Sequence, residues 1–185
     1  MADTTDFRNG YTMKLEGAIY QIVDFQHVKP GKGVAFVRTR LKNVETGAVL
    51  DRTFRSGDKV EEVRIEKREM QFLYSEGDTY HFMDMETYDQ TAVPRATVGA
   101  GAGLLLENGQ AFVLVAEGRT IGVELPNFVE LKVTHTEPGV KGDTATGATK
   151  PATLETGATV SVPLFVNQGD VLKIDTRTGE YVERV

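Results

Sequence analysis

Glycine-centred turn dipeptides return at short intervals along this chain and constrain it more than any other feature. They include Glu16-Gly17, Pro30-Gly31, Thr46-Gly47, Gly57-Asp58, Gly77-Asp78, Asn108-Gly109, Glu117-Gly118, Pro138-Gly139, Thr156-Gly157, Gly169-Asp170 and Thr178-Gly179. Punctuation at this spacing suits short strands joined by tight turns, the pattern of an all-β protein. The stretches between the turns agree. Ala18–Val23, Met70–Tyr74, Tyr80–Met83 and Val129–Val133 are rich in the β-branched and aromatic residues that fill a pleated, half-buried surface. Helical periodicity is nearly absent. The best candidate, Thr97–Leu106, carries Gly99, Gly101 and Gly103, each worth roughly 1 kcal/mol against a helix relative to Ala, so a short or frayed helix is expected there at most.

Composition removes whole classes of protein. The 185 residues contain no Cys, which leaves no disulfide framework, no Cys-ligated metal and no thiol nucleophile. The longest apolar run, Ala111–Ala116, is far short of the roughly 18 residues that span a bilayer, so no membrane association is expected. Residues 1–8 open with acids and hold no apolar run; neither a secretory signal nor a basic transit peptide is expected, and the chain reads as cytoplasmic.

Charge divides the chain into three. Residues 1–63 hold 10 basic and 9 acidic side chains, 64–126 hold 5 and 10, and 127–185 hold 6 and 8. With cuts at Arg64 and after Pro126-Asn127, three segments of about 60 residues would each lie near the lower limit for an independent domain. Each could close its sheet edges as a small barrel of five or six strands. Three barrels in a rod or bent arm suit bridging a large partner better than enclosing a small substrate.

One segment stands against the net charge of −6. Asp24–Lys42 reads as a β-hairpin whose tip is Lys29, Pro30, Gly31, Lys32 and Gly33, the proline and glycines setting the turn. On the return arm the two-residue period puts Val37, Thr39 and Leu41 on one face, and Phe36, Arg38 and Arg40 on the other. From Phe25 to Val44 there are five basic residues, Lys29, Lys32, Arg38, Arg40 and Lys42, and no acid. A cationic hairpin on an acidic protein is placed to neutralise phosphates locally while discouraging nonspecific wrapping; an ordinary solvated basic loop has the same composition. Lys32, between two glycines, is sterically bare, so its long cation can enter a narrow site and a modifying enzyme can reach it.

Catalytic readings are weak, and no catalytic residue, metal ligand or cofactor site is assigned. His27, His81 and His135 fall one to each segment without metal-ligand spacing. Asp84/Glu86 and Glu61/Glu62 lack a second catalytic partner and read as solvated acids. Gly99–Gly103 lacks the strand–turn–helix context and downstream acid of a dinucleotide loop and reads as a connection. Phe72, Tyr74, Tyr80 and Phe82 could stack bases, but aromatics in short strands more often fill a core. The polar loop Gly142–Lys150 could offer amides and hydroxyls to a nucleic acid or be a plain barrel loop; the residues leave both open.

Over essentially its whole length the sequence resembles the bacterial elongation factor P family. Four stretches carry the resemblance: Lys29–Gly33; Asn127–Lys132; Lys150–Gly157 with Val162–Phe165, within a signature-like run that extends to Gly169; and Asp175–Val182. The resemblance implies a KOW/SH3-like barrel (1–63) followed by two OB-fold barrels (64–126 and 127–185) in an L-shaped arrangement like that of a tRNA. It implies a non-enzymatic translation factor that acts as a monomer and binds both ribosomal subunits between the peptidyl-tRNA and exit sites when synthesis stalls on consecutive prolines. Lys32 would contact the CCA end of peptidyl-tRNA at the peptidyl-transferase centre, and holding that end in a productive geometry would lower the entropic part of the barrier. In the family the tip residue is often extended, by β-lysylation on many lysine-type members, so a Lys32-modifying enzyme is an implied partner. Arg38 and Arg40 would face rRNA or tRNA. Gly142, Asp143 and Thr144 would lie near the exit-site codon of the mRNA, and Tyr181 and Arg184 near the small subunit or the anticodon arm. The alternative within the same resemblance is a paralogue with a different stall preference.

Overall fold

The computed structural model describes residues 1–139 and 147–185. Among these the chain is almost entirely β, in three antiparallel sheets that curl into barrel-like forms. The first sheet comprises β1 (Ala2–Asp3), β2 (Thr12–Leu15), β3 (Ala18–Val28), β4 (Phe36–Asn43), β5 (Val49–Arg55) and β6 (Lys59–Glu62), ordered β1-β6-β2-β3-β4-β5. The second comprises β7 (Glu66–Glu76), β8 (Thr79–Asp84), β9 (Gln90–Pro94), β10 (Gln110–Ala116) and β11 (Arg119–Glu124), ordered β11-β10-β7-β8-β9. The third comprises β12 (Phe128–Thr136), β13 (Thr149–Leu154), β14 (Thr159–Pro163), β15 (Val171–Asp175) and β16 (Glu180–Arg184), ordered β14-β13-β12-β15-β16. By compactness the chain forms two units, one of residues 1–67 with 114–122 and the other of residues 68–113 with 123–185.

In the first unit, alternate residues of the strands point inward and build a core of Phe7, Tyr11, Met13, Ile22, Val37, Leu41, Phe54 and Val60. Phe54 meets Phe7 edge-on, with ring centroids 5.3 Å apart. A smaller cluster in the same unit joins Ile19 and Val63 to Ala116 and Ile121. The core of the second unit includes Leu131, Val133, Leu154, Val162, Leu172 and Ile174, all within 1% of full burial.

Besides a 3₁₀ turn at Thr4–Asp6, the described residues hold a helical segment that starts two residues before the expected Thr97 and changes type. A single α-turn, Arg95–Val98, ends where Gly99 takes φ +79°, and Gly99–Leu104 continues as a 3₁₀ helix. The glycine run read as a plain connection is therefore wound, its small residues permitting the tighter 3₁₀ path. The four aromatics of β7 and β8 split. Phe72 and Phe82 are core, 3% and 0% exposed, and half-buried Tyr80 lies against Phe72 at 5.6 Å. Tyr74 is 43% exposed and stacks on His81, centroids 4.5 Å apart.

Candidate nucleic-acid interface

The basic segment forms the predicted hairpin. β3 and β4 pair antiparallel from Tyr20 opposite Asn43 to Val28 opposite Phe36, with a register shift between Ile22 and Asp24. Beyond Val28 the chain leaves the ladder and turns at Lys29–Ala35, where Gly33 takes φ +110°. A side chain at Gly33 would be strained in backbone conformation, although the nearest atom to an added Cβ, Pro30 Cγ, is 3.9 Å away. Lys29, Pro30, Gly31, Lys32 and Gly33 are all exposed. Lys32 has no ion pair or hydrogen bond among the described residues.

The faces of β4 alternate as the sequence requires. Val37, Thr39 and Leu41 are buried while Arg38, Arg40 and Lys42 are exposed. Thr39 is 3% exposed and offsets the cost of burying its hydroxyl by donating to the carbonyl oxygen of Arg52 at 2.7 Å. The two outward arginines have unequal surroundings. Arg40 stands opposite Asp24 on β3 and Asp51 on β5, and its Nε lies 3.1 Å from Asp51 Oδ1. Arg38 stands opposite the neutral Gln26 and Thr53, with its guanidinium 5.5 Å from the centre of the Phe36 ring. The stretch without acids in sequence thus meets acids in space, and they gather around Arg40. These rows line an open groove of about 370 Å³ that includes Asp24, Gln26, Arg38, Arg40, Asp51 and Thr53.

In the third sheet Tyr181 is half-buried against the core, opposite Ile174, so its ring is largely committed to packing. Arg184 is exposed, with its guanidinium 5.1 Å from the centre of the Phe165 ring and 3.5 Å from Asp170 Oδ2. Phe165, within the Val162–Phe165 stretch, is 56% exposed, a surface aromatic marked in the sequence only by its place just after Pro163-Leu164. Gly142, Asp143 and Thr144 lie outside the described residues.

The remaining candidates show no assembled chemistry. His135 is exposed, 3.4 Å from Glu137 Oε1, and His27 meets Phe25 edge-on at 5.6 Å. The Asp84 carboxylate accepts hydrogen bonds from the amides of Glu86 and Thr87, which hold it below the usual carboxylate range. It is thus committed to its own turn. Glu61 and Glu62 project from β6 and are exposed. Among the described residues no cluster of three or more His, Asp or Glu could hold a metal, and no helix is long and apolar enough to cross a membrane.

Comparison with known proteins places this arrangement. In fold the chain is similar to the eukaryotic translation initiation factor 5A from Methanococcus jannaschii, with a TM-score of 0.56 and 26% identity over 66% of this chain and 92% of that one. Three family models match in succession: the elongation factor P KOW-like domain at residues 3–60, its OB domain at 65–123 and its C-terminal domain at 129–184. These matches, in the order of the three sheets, make the chain a translation factor. The proteins named elongation factor P from Pelotomaculum thermopropionicum and Moorella thermoacetica are 60% and 58% identical to it, each over 100% of both chains. The chain belongs to the elongation factor P family and is a translation elongation factor.

Proposed function

We propose that this protein is a cytoplasmic, monomeric, non-enzymatic factor that enters the ribosome between the peptidyl-tRNA and exit sites and stimulates peptide-bond formation at polyproline stalls. Its working divisions are residues 1–63, 64–126 and 127–185, and its effector is Lys32, the substrate of a modifying enzyme. The observation that carries this reading is Lys32, exposed and without a partner among the described residues, at the end of a two-stranded arm. An antiparallel ladder is stiff, so it delivers the tip to a defined place, whereas a flexible loop would lose that placement to conformational entropy. Proline is a constrained reactant; ordering the CCA end of the peptidyl-tRNA lowers the barrier without any group on the factor entering the reaction. Arg38 faces RNA phosphates from the arm, while Arg40 is taken up by Asp51. Arg184, Tyr181 and the segment at Gly142, Asp143 and Thr144 serve contacts to the small subunit, tRNA and mRNA.

The test is tripeptide formation on ribosomes programmed with a Pro-Pro-Pro template, using protein purified from its native host. Wild type should relieve the stall and Lys32→Ala should not, while the two melt at the same temperature. Full relief by Lys32→Ala would refute the effector role, and no relief by wild type would favour a paralogue with another stall preference.

A further inference from the structure

Along the sequence Arg55 lies outside the acid-free basic segment, on β5 and beyond the acids Glu45 and Asp51. Strand pairing brings it into the hairpin. Arg55 stands directly opposite Phe36, so Val28, Phe36 and Arg55 form one row across the outer face, and Gln26, Arg38 and Thr53 form the next. Arg38 and Arg55 are diagonal neighbours, a relation that spans about 7–8 Å in antiparallel sheets and that long side chains bridge easily. Both are exposed, and among the described residues neither guanidinium forms an ion pair, although the Asp58 carboxylate accepts a hydrogen bond from the Arg55 amide at 2.8 Å. The third row, Asp24, Arg40 and Asp51, holds two acids to one base. Arg38 and Arg55 therefore stand in the two acid-free rows nearest the tip, and the row next to them is net negative.

We propose that Arg38 and Arg55 form a two-point clamp for the phosphates of an RNA backbone, mounted on Phe36, and that Arg40 lies outside it. This deepens the functional reading above, on which it rests for the nature of the partner, by naming the chemistry that the arm recognises behind its tip. Three observations favour the clamp. Phe36 is half-buried and carries the Arg38 guanidinium over its ring, which restricts that side chain before any ligand arrives. Guanidinium groups donate in a planar fork that matches phosphate oxygens. Lys29 and Lys32 continue the positive surface toward the tip without an intervening acid. The carboxylates beside Arg40 would repel a phosphate brought to that row, so a bound strand is confined to the Arg38–Arg55 end.

The experiment titrates a fluorescein-labelled short RNA duplex with the full-length protein over a series of salt concentrations. Wild type is compared with Arg38→Ala, Arg55→Ala, Arg55→Lys and Arg40→Ala. Arg38→Ala and Arg55→Ala should each weaken binding about fivefold at low salt and lower the slope of log affinity against log salt by about 0.7–0.9. Arg55→Lys should keep the wild-type slope, and Arg40→Ala should change affinity less than about twofold. Arg55→Ala at the wild-type level, Arg40→Ala as damaging as Arg55→Ala, or no duplex binding by wild type would each overturn the clamp; binding of poly-glutamate in place of the duplex would overturn it in favour of an acidic protein partner. Stall relief is read separately on Pro-Pro-Pro ribosomes. Duplex binding that depends on both arginines, in a protein that relieves no stall, would refute the functional reading alone, and the reverse result would refute the clamp alone.

Discussion

Lys150 Nζ donates a hydrogen bond to the main-chain oxygen of Glu137 at 2.6 Å, so the lysine that opens the third-segment signature is buried, with 7% exposure. A charged amine is normally kept in water. Here its alkyl stem is packed and its head links β13 to the residue that follows β12, in a barrel where Thr136 Oγ1 also donates to the Pro151 oxygen. A lysine written into a motif is easily taken for a ligand contact; this one is structural.

Lys150→Met keeps most of the apolar stem and leaves the Glu137 oxygen without its donor. Stability should fall by about 1–3 kcal/mol, measured as a shift in the urea midpoint at constant m. An unchanged midpoint would mean that water replaces the ammonium at no cost.

Tyr11 gives the opposite sign. It is 2% exposed, and its hydroxyl has no hydrogen-bond partner among the described residues. Burial, with Glu62 adding to it, pushes the phenol above its ordinary range. Tyr11→Phe removes an unpaired polar atom from the first core and should be neutral or stabilising by up to about 1 kcal/mol. A clear loss of stability in thermal unfolding would reveal a partner for the hydroxyl.

At the hairpin tip, backbone conformation and activity can be separated. Gly33→Ala forces an L side chain to φ +110°, where strain of about 1–3 kcal/mol is expected, partly relieved because the tip is free to rebuild. The melting temperature should fall slightly. Tripeptide formation on a Pro-Pro-Pro template should fall sharply although Lys32 is present, and undiminished relief would show that the tip needs no fixed shape.

Acid should weaken the fold through local turns. The Thr5 hydroxyl, then its amide, depresses Asp3; the amides of Glu86 and Thr87 depress Asp84; the Arg177 side chain, then its amide, depresses Asp175. A carboxyl depressed in the folded state binds fewer protons folded than unfolded, so its contribution is present above the unfolded pKa and lost as pH falls through the folded one. Melting temperature should hold from neutrality to about pH 5 and then decline, more gently for Asp84→Asn, which starts lower and has less to lose. Superimposable acid limbs for Asp84→Asn and wild type would remove Asp84 from this account.

Much of the architecture is legible in the sequence because its determinants are local. Glycine-centred turns delimit the strands, and the two-residue period of β4 assigns Val37, Thr39 and Leu41 to the core and Arg38, Arg40 and Lys42 to solvent without reference to any other strand. The exposed tip lysine is readable for the same reason. The aromatic pair of β7 shows where such reasoning stops. Phe72 and Tyr74, two residues apart, should share a face, but a register shift between them sends Phe72 into the core and leaves Tyr74 exposed.

The amino-acid sequence by itself determined the class of fold, the hairpin and the identity of its tip, since turns and alternation act over a few residues. Only the tertiary structure decided which cations on that hairpin remain free. Asp51 and Arg55 reach the sheet on a strand that begins after the turn following Asn43, and pairing in register sets Asp51 against Arg40 and Arg55 against Phe36. A shift of one residue in that pairing would turn both side chains to the other face.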